Sequence, residues 1–408
     1  PPAPPATPLT PREVDGKLTL HNDTLSVDLD PKFPQVVAYK LGDKTVLGSL
    51  RDPLKSIQID EKDQKVTVGK VATTATTATY PLTLPDLGNA TMNAVFTLKG
   101  QTLTFTLKDI KDPESKIHRI RIPNQDIVTL DAAVKGSQIS AQEVSVNRAS
   151  SGDRFEPVAT QKADEKEKAS HRILANTDAV GIAFSGNGVE DTTAGGTSAN
   201  RAYMDNARWS RSYRNESGRV VGSISEGTWV HRGTSATTIG ADPDPYWTVK
   251  LTGDANADKK VDWQDAAIAF RDIRPHVNGQ DDVPNKVVTR IPFNIVSQAA
   301  YPFLRTLDDT KRVALATDGL GQQVMLKGYQ AEGHDSAHPD YADHYNTRAG
   351  GFEDLKTLVN EGNKWNASFG VHVNDTESYS EAKSFSEDLI QMPPQPGWGW
   401  MNQAYYID

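Results

Sequence analysis

Asp254, Asn256, Asp258, Asp262 and Asp265 fall at positions one, three, five, nine and twelve of a single twelve-residue segment. A hard cation such as calcium takes roughly six to eight oxygen ligands, and a loop with this spacing can wrap them around one ion. Lys260, at position seven, would offer its backbone carbonyl and leave its ammonium free to point away. Two positions depart from the usual pattern. Position six is Lys259 instead of glycine, and position twelve is Asp265 instead of the longer glutamate. The plainer reading is an acidic turn ahead of a helix, where Asp and Asn are favoured anyway. That reading accounts for one or two carboxylates but not for a full set at this spacing. The expected ion is therefore Ca2+, as a structural clamp and not a catalyst.

A second concentration of chemistry lies in the last third of the chain. Asp318 precedes a glycine-rich stretch, and His334, Asp335, His338, Asp340 and Tyr341 follow shortly after. Further on come His372, Asn374 and Asp375, and then Trp398 and Trp400 flanked by glycine. The histidines and carboxylates could be read as metal ligands, but no His-Glu-x-x-His pattern exists, and zinc usually takes tighter, more regular spacing. Carboxylates and histidines beside Tyr329 and tryptophan fit a sugar site better. Such a site grips hydroxyls with polar groups and covers apolar C–H faces with aromatic rings. The two tryptophans read as a segment closing over a ligand. Gly319-Leu-Gly321 is no phosphate loop, for it lacks both the Gly-Lys-Ser/Thr ending and the wider glycine spacing.

The elements that would hold these residues come in two textures. From Gly16 to about Lys250, short runs alternate apolar and polar residues, as in Leu25–Leu29, Ala94–Leu98, Leu103–Leu107 and Tyr246–Leu251. Period-two alternation with regular turn signals predicts a large antiparallel β-sandwich. Lys99-Gly-Gln-Thr102 reads as a hairpin connection. Ser150–Ser170 and Ser185–Asn200 read as long loops. Past the acidic loop, Trp263–Ile273 reads as a helix. Strand candidates Val287–Val296, Arg312–Thr317 and Ala367–Val373 then alternate with helix candidates Phe352–Trp365 and Glu377–Gln391. Strand and helix in alternation predict a parallel sheet with crossovers. A closed (β/α)8 barrel needs about 250 residues, and roughly half of that follows residue 285. The expected layout is multidomain: a proline-rich linker at 1–15, the sandwich at 16–252, a calcium loop and connecting helix at 253–284, and the first half of a TIM barrel at 285–408.

Composition narrows the function classes. The chain has 408 residues, of which 37% are hydrophobic and 24% charged, with a net charge of −9 and no cysteine. No apolar run could span a bilayer, the acidic balance argues against a nucleic-acid backbone as partner, and disulfide and thiolate chemistry are ruled out. Absence of cysteine together with a calcium loop suits an exported bacterial protein.

At Gly253–Ile268, Ala316–Gln322, Gly333–Tyr341, His372-Val-Asn374 and Gly397–Trp400 the sequence resembles the endo-α-N-acetylgalactosaminidases of glycoside hydrolase family 101. The likeness is dense from about residue 245 onward and weaker before it. It implies a secreted or surface-bound bacterial enzyme, a single chain of several domains, with a β-sandwich ahead of a (β/α)8 barrel. The implied activity is release of Galβ1-3GalNAc from serine or threonine of mucin-type O-glycoproteins, with retention of configuration. By resemblance, the calcium ligands are Asp254, Asn256, Asp258, the Lys260 carbonyl and Asp265. Asp335 matches a carboxylate that holds the substrate's hydroxyls, and Trp398 and Trp400 match tryptophans that close over the disaccharide, with His334 and His372 beside them. The family's nucleophile and acid/base follow later barrel strands, so no catalytic residue is expected among these 408 residues. Asp318 with Asp335 is the substitute pair within reach. A reading of a different class is a non-catalytic, calcium-dependent carbohydrate-binding or adhesion module; against it stands the β/α alternation. A calcium-stabilised scaffold of dockerin type would call for a second calcium loop nearby, and none is present.

Overall fold

The computed structural model describes residues 7–144, 151–158, 168–170, 172–193, 201–205, 207–214, 220–232, 244–295, 299–397 and 404–407. The chain divides into two compact units, the first reaching Arg274 and the second running from Pro275 to Asp408.

In the first unit, two large antiparallel sheets share one core. The alternation of the strands Ala90–Lys99 and Thr102–Lys111 is realised directly, since every second side chain is buried along the first and from Leu103 to Leu107 in the second. Phe96 pairs with Phe105 across the hairpin, and Gly100 takes φ +54° in the connection at Lys99–Thr102. Left-handed backbone is where glycine costs least. Phe105 in turn pairs with Trp247 of the neighbouring strand Tyr246–Thr252, their rings stacked at 5.3 Å. The indole N–H of Trp247 donates to Gln125 Oε1 at 3.1 Å, which satisfies the one polar atom of a wholly buried side chain.

Two stretches expected as loops contain strands. Ser151–Pro157 pairs with Gln138–Val144, Lys168–Ser170 pairs with Ala207–Arg214, and Val189–Thr193 pairs with Arg201–Asp205. Their polar composition hides strand structure, because antiparallel sheet can face water on one side. Residues 7–15 of the proline-rich segment are tied down as well. Leu9 N–H donates to Asp131, and the Arg12 guanidinium reaches the buried Asp30 at 2.6 Å.

Helix α1 (Trp263–Ile273) belongs to this unit, although it was expected in a connector ending at 284. Its Ala266 and Ala269 pack on Leu174 and Ala183 of the sheet, and Gly181 lets the helix backbone approach closely.

In the second unit, the strands Lys286–Arg290, Gly321–Leu326 and Ala367–Val371 form a parallel sheet with Gly321–Leu326 in the middle. Helices α2 (Phe303–Ala316) and α3 (Gly351–Asn363) make the two crossovers. Phe303 and Leu307 of α2 and Leu358 of α3 bury Val324, Leu326 and Ala367. Two sequence expectations fail here. Arg312–Thr317 is the end of α2 and no strand. Phe303, Thr306, Leu307, Thr310 and Ala314 are buried at helical spacing, and a short apolar run cannot by itself choose between the two periods. Glu377–Gln391 is not a helix either. It opens with the fully buried strand Glu377–Tyr379, paired with Ala404–Tyr406, and later makes one 3-10 turn at Glu387–Leu389.

Candidate carbohydrate site and family relationship

The candidate residues gather just past the C-terminal ends of the parallel strands. His372 directly follows Ala367–Val371, and its N–H donates to Leu326 O at 3.0 Å, which extends the parallel ladder by one rung. The segment after Gly321–Leu326 turns at Gly328, where φ is +87° and a Cβ would lie 2.0 Å from Asn294 O. Only glycine tolerates that approach. Beyond the turn, His334 N–H donates to the same Asn294 carbonyl at 2.9 Å. Asn294 is itself held by a reciprocal pair of bonds with the Tyr301 backbone.

Asp335 takes φ +53°, an uncommon conformation for a residue with a Cβ. Its carboxylate is buried, with Oδ1 lying 2.9 Å from His334 Nδ1 and 3.5 Å from His372 Nε2. Burial pushes the Asp335 carboxyl up. Contact with His334 and the charges of His334, His372 and His338 outweigh that and hold it below the usual carboxylate range. The group is therefore an anion at neutral pH, able to accept hydrogen bonds from sugar hydroxyls. Burial lowers the pKa of His372, and the nearby Lys327 ammonium lowers it further. Burial brings His338 down to about 4, so it stands neutral. Phe293 packs edge-on against His334, which lies beside His372 with ring centroids 5.1 Å apart.

A second layer fixes this loop. Asp340, buried, accepts from the Lys383 N–H at 2.7 Å, the Ser384 N–H at 3.0 Å, the Ser384 hydroxyl at 2.7 Å and His344 Nδ1 at 3.1 Å. Burial works against the ionised form of Asp340, but these donors prevail and bring its pKa to about 2. It is a positioning group whose lone pairs are engaged, not a free ligand. Glu381 accepts the Ala337 N–H, and Tyr379 N–H donates to His338 O. The Tyr379 ring stands edge-on to His338, and its hydroxyl accepts from Asn374. Tyr379 was missed in the sequence because it fell inside a stretch read as helix.

Three further expectations change. Tyr329 does not present its ring to a ligand. It lies in the core of the second unit and donates its hydroxyl to Tyr341 O at 2.8 Å. Asp318 sits in the turn ahead of Gly321–Leu326, and Asp335 lies beyond that strand's other end. A six-residue strand spans about 20 Å, so Asp318 and Asp335 are no catalytic pair. Trp398 and Trp400 lie outside the described residues. The ligand atoms of His334, Asp335 and His372 lie within 4.8 Å of one another, close enough to share a cation. Both imidazoles approach a single carboxylate oxygen, Asp335 Oδ1.

The acidic loop folds on itself. Asp254 accepts from the N–H groups of Asp258 and Lys259, Asn256 accepts from Asp258, and Asp258 accepts from Lys260. Lys259 takes φ +69°, so the position that lacks glycine still makes the left-handed turn. Asp265 is wholly buried. It accepts from Ala255, Asn256 and Asp262 N–H and completes a capping box on α1. Its shorter side chain is thus engaged with backbone, while Asp254, Asn256 and Asp258 remain exposed. The donor chemistry, all oxygen and mostly anionic, fits a hard cation.

Residues 264–408 match the family model described as endo-alpha-N-acetylgalactosaminidase, and residues 20–263 match that of a galactose mutarotase-like fold domain. A Renibacterium salmoninarum protein that carries the endo-alpha-N-acetylgalactosaminidase name provisionally is 40% identical over 395 residues. The chain is thus similar to the endo-alpha-N-acetylgalactosaminidase family. That alignment covers 96% of this chain and 26% of the Renibacterium protein, so the chain spans about a quarter of the curated relative it matches. Among solved structures, the ligand-free alpha-N-acetylgalactosaminidase NagBb of Bifidobacterium bifidum aligns with a TM-score of 0.53 at 12% identity. It covers 96% of this chain and 65% of that one. The GH36 alpha-galactosidase AgaB of Geobacillus stearothermophilus aligns at 0.59 and 9% identity, over 96% and 60%. At such identities the likeness concerns the fold. The match at 264–408 contains every residue of the His334, Asp335 and His372 cluster.

Proposed function

We propose that this chain is part of a retaining endo-α-N-acetylgalactosaminidase that releases Galβ1-3GalNAc from serine or threonine of mucin-type O-glycoproteins. The observation that carries the reading is the buried, ionised Asp335 between His334 and His372 at the C-terminal edge of a parallel sheet. That edge is where β/α barrels place their sites. Asp335 would accept hydrogen bonds from substrate hydroxyls, and His372 would donate or accept beside it. Trp398 and Trp400 would cover the sugar faces.

The three strands fit half of a (β/α)8 barrel. Val324 and Leu326 are buried under the helices, whereas Met325 and Val371 are exposed on the sheet. A barrel interior would cover such side chains. Retention requires two carboxyl groups about 5–5.5 Å apart, and we place both on later strands of that barrel. Calcium at Asp254, Asn256, Asp258, the Lys260 carbonyl and Asp265 would offset the mutual repulsion of the loop carboxylates. It has no part in the chemistry. An extracellular or cell-surface setting suits both that ion and the glycoprotein substrate.

The test is release of p-nitrophenol from the p-nitrophenyl α-glycoside of Galβ1-3GalNAc, by residues 1–408 and by a longer form that completes a barrel of about 250 residues. Turnover by the longer form alone is the expected result. Turnover by residues 1–408 would overturn the placement of the carboxylates. Inactivity of both, with the disaccharide still bound, would favour the non-catalytic carbohydrate-binding reading.

A further inference from the structure

The first unit carries a cleft of about 800 Å³ that has no part in the site described above. That volume lies within the range of roughly 300–1,000 Å³ typical of small-molecule sites. Its lining includes Lys32, Lys55 and Lys65, with Asp52 the one carboxylate among the lining residues. All three lysines are exposed, and none makes an ion pair or side-chain hydrogen bond with another described residue. In a chain of net charge −9, three unpartnered ammonium groups around one cleft form a local reversal of sign. Like charges brought together repel, so the arrangement is complementary to an anion.

The walls are fixed by hydrogen bonds that reach into the buried core. Lys32 N–H donates to the buried Asp30 at 2.7 Å, and Leu54 N–H donates to the wholly buried Gln35 at 2.9 Å. Lys55 O accepts the Val66 N–H at 3.0 Å, which sets the Lys55 and Lys65 segments side by side. Beside the lysines, the half-buried Leu54 and Val68 give an apolar surface over the buried Val66. A bare inorganic anion would make no use of that surface. A sugar ring bearing a negative group would, with its C–H face on the aliphatic side chains and its anionic group among the ammonium ions.

We infer that this cleft binds a saccharide carrying a carboxylate or a sulfate ester, a second glycan-binding site on the first unit. Anion recognition stands on the cleft alone. The choice of a glycan as its carrier rests on the hydrolase reading, since a glycoprotein substrate would present both chemistries at once.

Calorimetric titration of residues 1–408 at low salt tests the inference. The probes are 3′-sialyllactose, lactose 3′-sulfate, neutral lactose, inorganic sulfate and a short single-stranded DNA. The proteins are the parent, Lys55→Gln/Lys65→Gln and Asp335→Asn. The lysines are exposed, so their replacement leaves the core intact, which a thermal melt checks. At least one anionic saccharide is expected to bind at least tenfold more tightly than lactose and than sulfate. The comparison of the two identifies the preferred anion. The lysine pair should lose at least tenfold, Asp335→Asn should lose nothing, and rising salt should weaken binding. Equal binding of lactose, or unchanged affinity in the lysine variant, overturns the inference. So does loss in Asp335→Asn, or DNA or sulfate binding as tightly as the best saccharide. The hydrolase reading fails separately: an enzyme inert on the disaccharide glycoside would leave anionic saccharide binding at the lysines untouched.

Discussion

Replacing Asp340 by alanine should loosen the loop that carries His334 and Asp335 before it affects anything else in the molecule. The carboxylate joins residue 340 to Lys383 and Ser384, more than forty positions later in the chain, through three hydrogen bonds, and a fourth ties it to His344. Asp340→Ala leaves two backbone N–H groups, one hydroxyl and one imidazole to find other partners. The hydroxyl and imidazole can turn towards water. The two part-buried N–H groups cannot, and each orphaned donor costs about 1–3 kcal/mol. A loss of about 3 kcal/mol in the second unit follows, on the order of a 10 °C fall in its unfolding temperature. The assay is amide hydrogen exchange, followed at Lys383 and Ser384 alongside a thermal melt. Exchange at those two amides should accelerate, while the amides of the Ala90–Lys99 and Thr102–Lys111 hairpin stay protected. Unchanged exchange at Lys383 and Ser384 would refute the reasoning. The pH dependence has a definite sign. The Asp340 pKa falls from 3.8 to about 2 on folding, so its contribution is fully present above 3.8 and is lost as pH falls through about 2.

Other outcomes follow from the same structure. His338 falls from 6.5 to about 4 on folding, so between those values the unfolded chain binds more protons and stability declines as pH falls. His338→Gln should flatten that part of the stability–pH curve, and an unchanged slope would count against burial of a neutral imidazole. Calcium at about one hundred times its Kd should stabilise the first unit by roughly 2.7 kcal/mol. A calcium-dependent melting shift that survives Asp254→Ala/Asp258→Ala would contradict the ligand set. Trp247→Ala, which empties a wholly buried site and orphans Gln125, should cost about 3–5 kcal/mol in denaturant titration. A cost below about 1 kcal/mol would mean that the stacked aromatic centre contributes little to the core.

The sequence displayed the sandwich wherever one strand face is buried and the other wet, because period two then survives into the residue pattern. Ala94–Leu98 and Leu103–Leu107 are such strands, and Trp263–Ile273 was legible as the helix behind the acidic turn. Legibility failed where long-range contacts decide the backbone. Arg312–Thr317 looked like a strand because Val313, Ala314, Leu315 and Ala316 are contiguous, yet Leu315 faces solvent while Ala314 faces the sheet. Glu377–Gln391 looked helical, but Asp340 takes the N–H groups of Lys383 and Ser384, and the Glu377–Tyr379 strand pairs with Ala404–Tyr406. Both are tertiary effects that propensity alone does not contain. The site was legible as a set of residue types, and Asp335 with its two histidines comes together in space. The roles within it were less legible. Asp340, read as a possible ligand, is a fastener; Tyr329, read as a sugar platform, is core.

The central claim, that Asp335 is an ionised anchor for substrate hydroxyls, is tested most directly by Asp335→Asn in the full-length enzyme. The readout is kcat/KM on the p-nitrophenyl α-glycoside of Galβ1-3GalNAc. The amide keeps the shape of the side chain but removes its charge and one acceptor. Hydrogen bonds to a charged group contribute about 1.5–3 kcal/mol each, so loss of one predicts a fall of at least about tenfold. A variant that retains the parent kcat/KM, with its fold intact by thermal melt, would contradict the account.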